Sequence, residues 1–214
     1  MKKFLLILFI NLIFVCSAYA NDDVLLKEVE NNYKKMDNFK AEFKQELFHR
    51  ESNTTQKRTG FIEFMPPTFI HWETKAPNRE LIICNSKEVW NYLPDEELAY
   101  RYHTKVLDES HAVLSVITGQ ARIKDTFEIE PLESKEKNIQ KFTLYPLESN
   151  PQMVEVTLSI DTKTKLIKKV KVLDFFGNLN TIEFTNFSKN TSIDKKDFQI
   201  NLPKNVEIED HYKK

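Results

Sequence analysis

The sequence predicts a mainly β fold, a curved antiparallel sheet that curls into a half-barrel with α-helices closing its mouth as a lid. Three observations carry this reading. Apolar and polar side chains alternate through most of the chain, the period of strands that bury one face. Only two stretches change to the helical period, one leading and one in the middle. Turn-forming Asn, Asp, Pro and Lys recur between the alternating segments at the short spacing of a barrel or curved sheet.

At the N-terminus, Lys2 and Lys3 precede an apolar run from Phe4 to Val15 broken only by Asn11, and Ala18-Tyr19-Ala20 fits the small-x-small cleavage pattern. That is the layout of a secretory signal peptide, residues 1–20. Its apolar core is too short for a transmembrane helix, which needs roughly 20 residues. Residues 21–214 are expected to form a single domain, because no linker, repeat or low-complexity tract interrupts them. Cys16 opens a second reading, a lipoprotein signal in which this cysteine becomes the lipidated N-terminus. Val15 then stands where a small residue is normally required.

Residues 22–37 read as an amphipathic helix: Asp22 or Asp23 can cap its start, Leu26, Val29, Tyr33 and Met36 share one face, and Asp37-Asn38 ends it. The period then changes to two. Phe39, Ala41, Phe43, Gln45 and Leu47 alternate with Lys40, Glu42, Lys44 and Glu46, a strand whose charged face is solvated and ion-paired across strands. The stretch from Gly60 to Pro94 holds both tryptophans and three extended segments. Ile62, Phe64, Ile70 and Trp72 have one parity and Glu63, His71 and Glu73 the other, so this sheet has an apolar face that needs cover. Periodicity leaves open whether Trp72 and Trp90 are core packing or contacts for an apolar ligand.

Leu98, Tyr100 and Tyr102 continue the alternation. A second helix is expected over 108–118, with Asp108 as its cap, Val113, Leu114 and Ile117 on one side, and Gly119 just past its end. Strands are then expected at 125–130, 140–145, 152–160, 165–174, 180–187 and 197–202. The sum is about ten antiparallel strands and two helices. The concave face of such a sheet is either a packed core or a cavity.

Composition narrows the function. Removing the signal peptide with its two lysines leaves 29 of the 31 basic side chains against 32 acidic ones, a net charge of −3. Nothing there resembles the concentrated basic excess of a nucleic-acid partner. Cys84 is the one cysteine of the mature chain, so no intrachain disulfide forms. The three glycines, Gly60, Gly119 and Gly177, build no phosphate loop. His49, His71, His103, His111 and His211 are dispersed without metal-ligand spacing, and no G-x-S-x-G elbow occurs. Asp95-Glu96-Glu97 follows a proline and reads as a solvated turn. No catalytic residue, metal or cofactor is therefore expected.

The chain resembles the LolA family of periplasmic outer-membrane lipoprotein carriers. The resemblance runs through Ala41-x-Phe43-x-Gln45, Gly60 and the strand into Pro67, the spacing from Pro67 to Trp72, Pro77, and Leu81-Ile82-Ile83. It continues through Trp90-x-Tyr92-x-Pro94, Phe142-x-Leu144-x-Pro146, Asp174-x-x-Gly177, Phe184, Asn186, Phe198 and Pro203. It implies a sheet of about eleven strands under a helical lid, with the acyl chains of lipoproteins shielded between them. It also implies a soluble periplasmic monomer, loaded by an ABC-type lipoprotein-releasing complex of the inner membrane and unloaded by the outer-membrane receptor LolB or an equivalent. The cavity residues expected on this basis are Ile62, Phe64, Ile70, Trp72 and Trp90 from the sheet, with Leu114 and Ile117 from the lid. Two positions depart from the family pattern. Pro66 stands where an arginine often latches the lid, and Asn85-Ser86 replaces an Asp-Gly turn. Two other readings remain: a LolB-like receptor anchored through Cys16, and a secreted hydrolase with a site assembled from scattered residues.

Overall fold

A computed structural model describes residues 22–212, apart from the side chains of residues 108–113. The segment expected to be a signal peptide, with Cys16, thus lies outside the described residues, as do the side chains of Asp108, His111 and Val113. The described chain opens with helix α1, residues 22–34. Six strands follow: β1 (Phe39–His49), β2 (Thr54–Met65), β3 (Phe69–Ala76), β4 (Glu80–Cys84), β5 (Glu88–Leu93) and β6 (Leu98–His103). Helices α2 (Val106–Ile117) and α3 (Ile123–Thr126) interrupt the sheet, which resumes as β7 (Phe127–Leu132), β8 (Ile139–Pro146), β9 (Glu155–Asp161), β10 (Leu166–Leu173), β11 (Leu179–Lys189) and β12 (Glu207–Asp210).

These twelve strands belong to one curved, open sheet in the order β12-β6-β5-β4-β3-β2-β1-β11-β10-β9-β8-β7. Every neighbouring pair is antiparallel except β12 with β6, which is parallel. A parallel neighbour requires a crossover. Residues 190–206 supply it by passing over the outer face of the sheet, where Phe198 packs on Phe69 and its carbonyl accepts from Asn85 Nδ2 at 3.4 Å.

Three expectations are corrected. The strand expected at 197–202 is a 3₁₀ turn, Lys195–Phe198, because Asp194 and Asp197 exchange side-chain and backbone hydrogen bonds in a capping box. The leading helix ends at 34, short of 37, and Asp22 and Asp23 lie inside it rather than before it. The middle helix starts at Val106 after Lys105, two residues earlier than the expected Asp108 cap. Gly119 follows that helix as expected, with φ +70°, where L side chains are strained.

Strand register sorts the two faces. On the inner face Ala41, Ile62, Trp72 and Ile82 stand opposite one another across four strands, as do Phe39, Phe64, Ile70 and Cys84. On the outer face the corresponding row is Lys40, Glu63, His71, Ile83, Trp90 and Arg101. The outer face carries the cross-strand ion pairs Lys40–Glu63, Lys57–Glu46 and Lys169–Glu183, as the charge alternation of β1 predicts. Against the inner face α1 packs Leu25, Leu26, Val29 and Tyr33, joined by Met36 just past its end, into one continuous core.

Tyr33 ties three elements together. Its ring meets Phe39 and Phe187 edge-on, and its hydroxyl accepts the Ile167 N–H at 3.2 Å, satisfying a donor beside the irregular register of β10. Burial pushes its phenol pKa up. Asn38 fixes the exit of the helical segment: its amide donates to the Thr191 carbonyl and accepts from Thr191 N at 2.8 Å.

Gly60 is a packing requirement of the inner face. A Cβ there would overlap the Glu73 carbonyl oxygen and stand 2.8 Å from the ring of Phe43. Its absence lets the Phe43 ring lie across β2 and stack on Trp72 with centroids 4.1 Å apart. Gly60→Ala is therefore expected to destabilise the fold by about 2 kcal/mol or more, read as a lowered urea midpoint. Cys84 provides a second check. Burial pushes its thiol pKa up to about 11, so little thiolate exists at pH 8. Native protein at that pH should react with a thiol reagent at least roughly tenfold more slowly than the urea-unfolded chain.

Candidate functional site

Below the helix-packed core, the inner face stays open. A cavity of about 610 Å³ lies between the sheet and α2. That volume falls within the roughly 300–1,000 Å³ of pockets that bury a single apolar ligand. Trp72 and Ile82 form part of its floor, Val172 and Ile182 its far wall, and Leu107, Leu114 and Ile117 of α2 its roof. The β10–β11 turn reaches the rim through Asp174 and Asn178, a turn that Gly177 allows at φ +83° and that Asn178 stabilises by donating to both Asp174 carboxylate oxygens at 2.8 Å.

The seven residues expected at the cavity separate into three groups. Trp72, Leu114 and Ile117 line it. Ile62, Phe64 and Ile70 share the face of Trp72 but are buried in the packed core, at 0%, 3% and 6% exposure, so they support the floor rather than reach the cavity. Trp90 is on the opposite face. There it packs with Ile83, Ala99 and Phe198 under the C-terminal crossover, and the Arg101 guanidinium lies 5.4 Å from its ring centroid. Its placement follows from the register of β4 with β5, in which Trp90 stands opposite Ile83, one residue out of phase with Ile82.

Sequence reasoning missed several lining residues. Leu47 and Gln45 belong to the apolar parity of β1 and were within reach of that argument. Ile82, Val172, Leu179 and Ile182 were identifiable as strand residues, yet their faces depend on registers that one sequence does not reveal. Polar lining residues were the larger omission. Gln45 donates to Asn180 Oδ1 at 3.0 Å across β1 and β11, and Arg58 Nη1 pairs with Glu80 Oε2 at 3.0 Å across the inner surface of β2 to β4.

Pro66 lies beside Glu30, Tyr33, Lys34 and the loop Gly119–Ala121, where α1 and the end of α2 meet the sheet. Its ring offers no donor there. The helices are joined by other contacts: Glu30 Oε1 accepts from Ile123 N at 3.0 Å, Lys124 pairs with Asp23 at 2.7 Å, and Lys165 of the β9–β10 turn pairs with Glu28 at 2.8 Å. Among the described residues no three His, Cys, Asp or Glu side chains gather as a metal site, and no helix is long and apolar enough to cross a membrane.

The opposite placement of the two tryptophans gives a direct optical test. Adding a brominated fatty acid should quench the fluorescence of a Trp90→Phe variant, which reports Trp72, and leave that of Trp72→Phe, which reports Trp90, nearly unchanged.

Comparison with known proteins agrees with this fold. The family model described as "Outer membrane lipoprotein carrier protein LolA" matches residues 34–201. Outer-membrane lipoprotein carrier proteins of Pseudomonas paraeruginosa and Vibrio parahaemolyticus are similar, at 25% identity over 193 residues and 26% over 206. Those alignments cover 89% and 96% of this chain and 90% and 93% of the relatives. An uncharacterised conserved protein from Thermus thermophilus shares the fold with a TM-score of 0.57 at 14% identity, over 89% of this chain and 99% of that one. The match to the family model over most of the chain, on a sheet that leaves an apolar cavity under its helices, makes this protein a member of the LolA family.

Proposed function

We propose that this protein is a periplasmic carrier that takes up the acyl chains of lipoproteins at the inner membrane and gives them to an outer-membrane receptor. The observation that carries this reading is the cavity of about 610 Å³ between the sheet and α2, floored by Trp72 and Ile82 and roofed by Leu107, Leu114 and Ile117. Family membership and the names of the relatives support it.

The physical need is large. Burial contributes about 0.8 kcal/mol per methylene, so exposed lipoprotein acyl chains cost on the order of tens of kcal/mol in water. A carrier offsets much of that cost, but must leave enough for a receptor to compete. The lining suits this, because large aliphatic and aromatic side chains provide contact without a fitted slot, and polar side chains interrupt the apolar surface. In this reading loading comes from an ABC-type releasing complex, unloading is to LolB or an equivalent receptor, and the carrier itself performs no chemistry.

Trp72→Glu and Leu114→Glu each place a carboxylate in the cavity, where an unpaired charge is costly. Each variant is expected to fold, judged by circular dichroism, and to release at least about tenfold less lipoprotein from spheroplasts than the wild type. Normal release by both folded variants would contradict the assignment of the cavity.

A further inference from the structure

The apolar cavity has a polar neighbour. A second groove of about 300 Å³ is lined by Gln56, Asn78, Arg79, Asp95 and Glu96, and Arg58 and Glu80 belong to the walls of both. The Arg58–Glu80 pair therefore forms the partition between a greasy chamber and a hydrogen-bonding one. Resting on the carrier reading above, we propose that this groove holds the polar head of the acylated ligand, the ester and amide carbonyls of an acylglyceryl cysteine and the first peptide units beyond it.

The donor inventory fits carbonyl recognition. A guanidinium has five N–H donors. Arg58 Nε and Nη2 both donate to Gln56 Oε1, at 3.2 and 3.0 Å, and Nη1 donates to Glu80, which leaves one hydrogen on each terminal nitrogen for a ligand oxygen. Glu80 is held in turn by Asn91 Nδ2 at 3.2 Å, so the partition is braced from β5. The Arg79 N–H donates to Asp95 Oδ2 at 3.2 Å, fixing the groove's outer rim.

Charge selects among possible heads. Arg58 and Arg79 face Glu80, Asp95 and Glu96, an excess of carboxylate that disfavours a phosphate head and leaves neutral carbonyl and amide groups as the matching chemistry. The geometry also gives direction to the bound ligand. Chains lie toward Trp72 and Ile182, and the head lies toward the β3–β4 turn and Pro94–Glu96.

Calorimetry on the full mature protein tests this with three probes: a dipalmitoylglyceryl-cysteinyl tetrapeptide, dipalmitoyl phosphatidylglycerol and the headless chain hexadecanol. The wild type should prefer the lipopeptide to both. The paired substitution Arg58→Leu with Glu80→Met, which leaves no lone charge, should reduce the preference over hexadecanol by about tenfold or more. Arg79→Ala, at an exposed position that puts folding at little risk, should reduce it by about threefold. An unchanged preference in both variants, or a wild type that prefers phosphatidylglycerol, overturns the assignment of the groove. A wild type that binds none of the three overturns the carrier reading itself.

Discussion

The sheet's inner face is apolar across nearly its whole width, and an apolar face this large has to be covered. Among the described residues, twelve strands in one open sheet leave no second sheet to pack against, so cover comes from helices. At one end, α1 meets the sheet with four large buried side chains, and Met36 just past its end adds a fifth. At the other, α2 arches over Trp72, Ile82 and Ile182 without filling the space. The unequal cover produces a cavity on the inner face. Tyr33 stands near the boundary, bonded to β10, and its ring fills the space that a side chain at position 119 would need.

The same constraint explains what was legible in the sequence. Alternation of Phe39 to Leu47 gave the face of β1 correctly, and the parity of Ile62, Phe64, Ile70 and Trp72 placed all four inward, because period two is a local property. Which of them touches the cavity was not local. Phe64 and Ile70 are enclosed in the same buried core as the α1 side chains, and that depends on how a distant segment docks. Trp90 illustrates the harder limit. Its face follows from the length of the Asn85–Lys87 turn, where Asn85 Oδ1 accepts from Lys87 N and Glu88 N and sets the register of β5. A shift of one residue there would have turned it inward. The parallel β12 was illegible for another reason. It is four residues of exposed, acidic edge, and its partner lies more than a hundred positions earlier in the chain.

Trp90 nevertheless has a structural task. With Ile83 and Ala99 it forms an outer apolar patch, and Phe198 seals that patch from the crossover segment. Arg101 joins the two ends of this arrangement, pairing with Glu88 at 2.7 Å and Asp210 at 3.4 Å while lying over Trp90 and Tyr212. The two tryptophans thus divide the labour of the sheet. One lines the cavity, and the other packs against the chain's own C-terminal segment.

That division permits a decisive comparison between adjacent residues. Ile82 points into the cavity and Ile83 lies under the crossover, although they are consecutive in β4. A photoreactive phenylalanine analogue placed at one or the other position, in protein irradiated within intact cells, reports which face meets acylated protein. An acyl-chain carrier requires capture of acylated protein from position 82 and little from position 83. Equal capture from both, or capture from position 83 alone, would contradict a lipid-holding inner face.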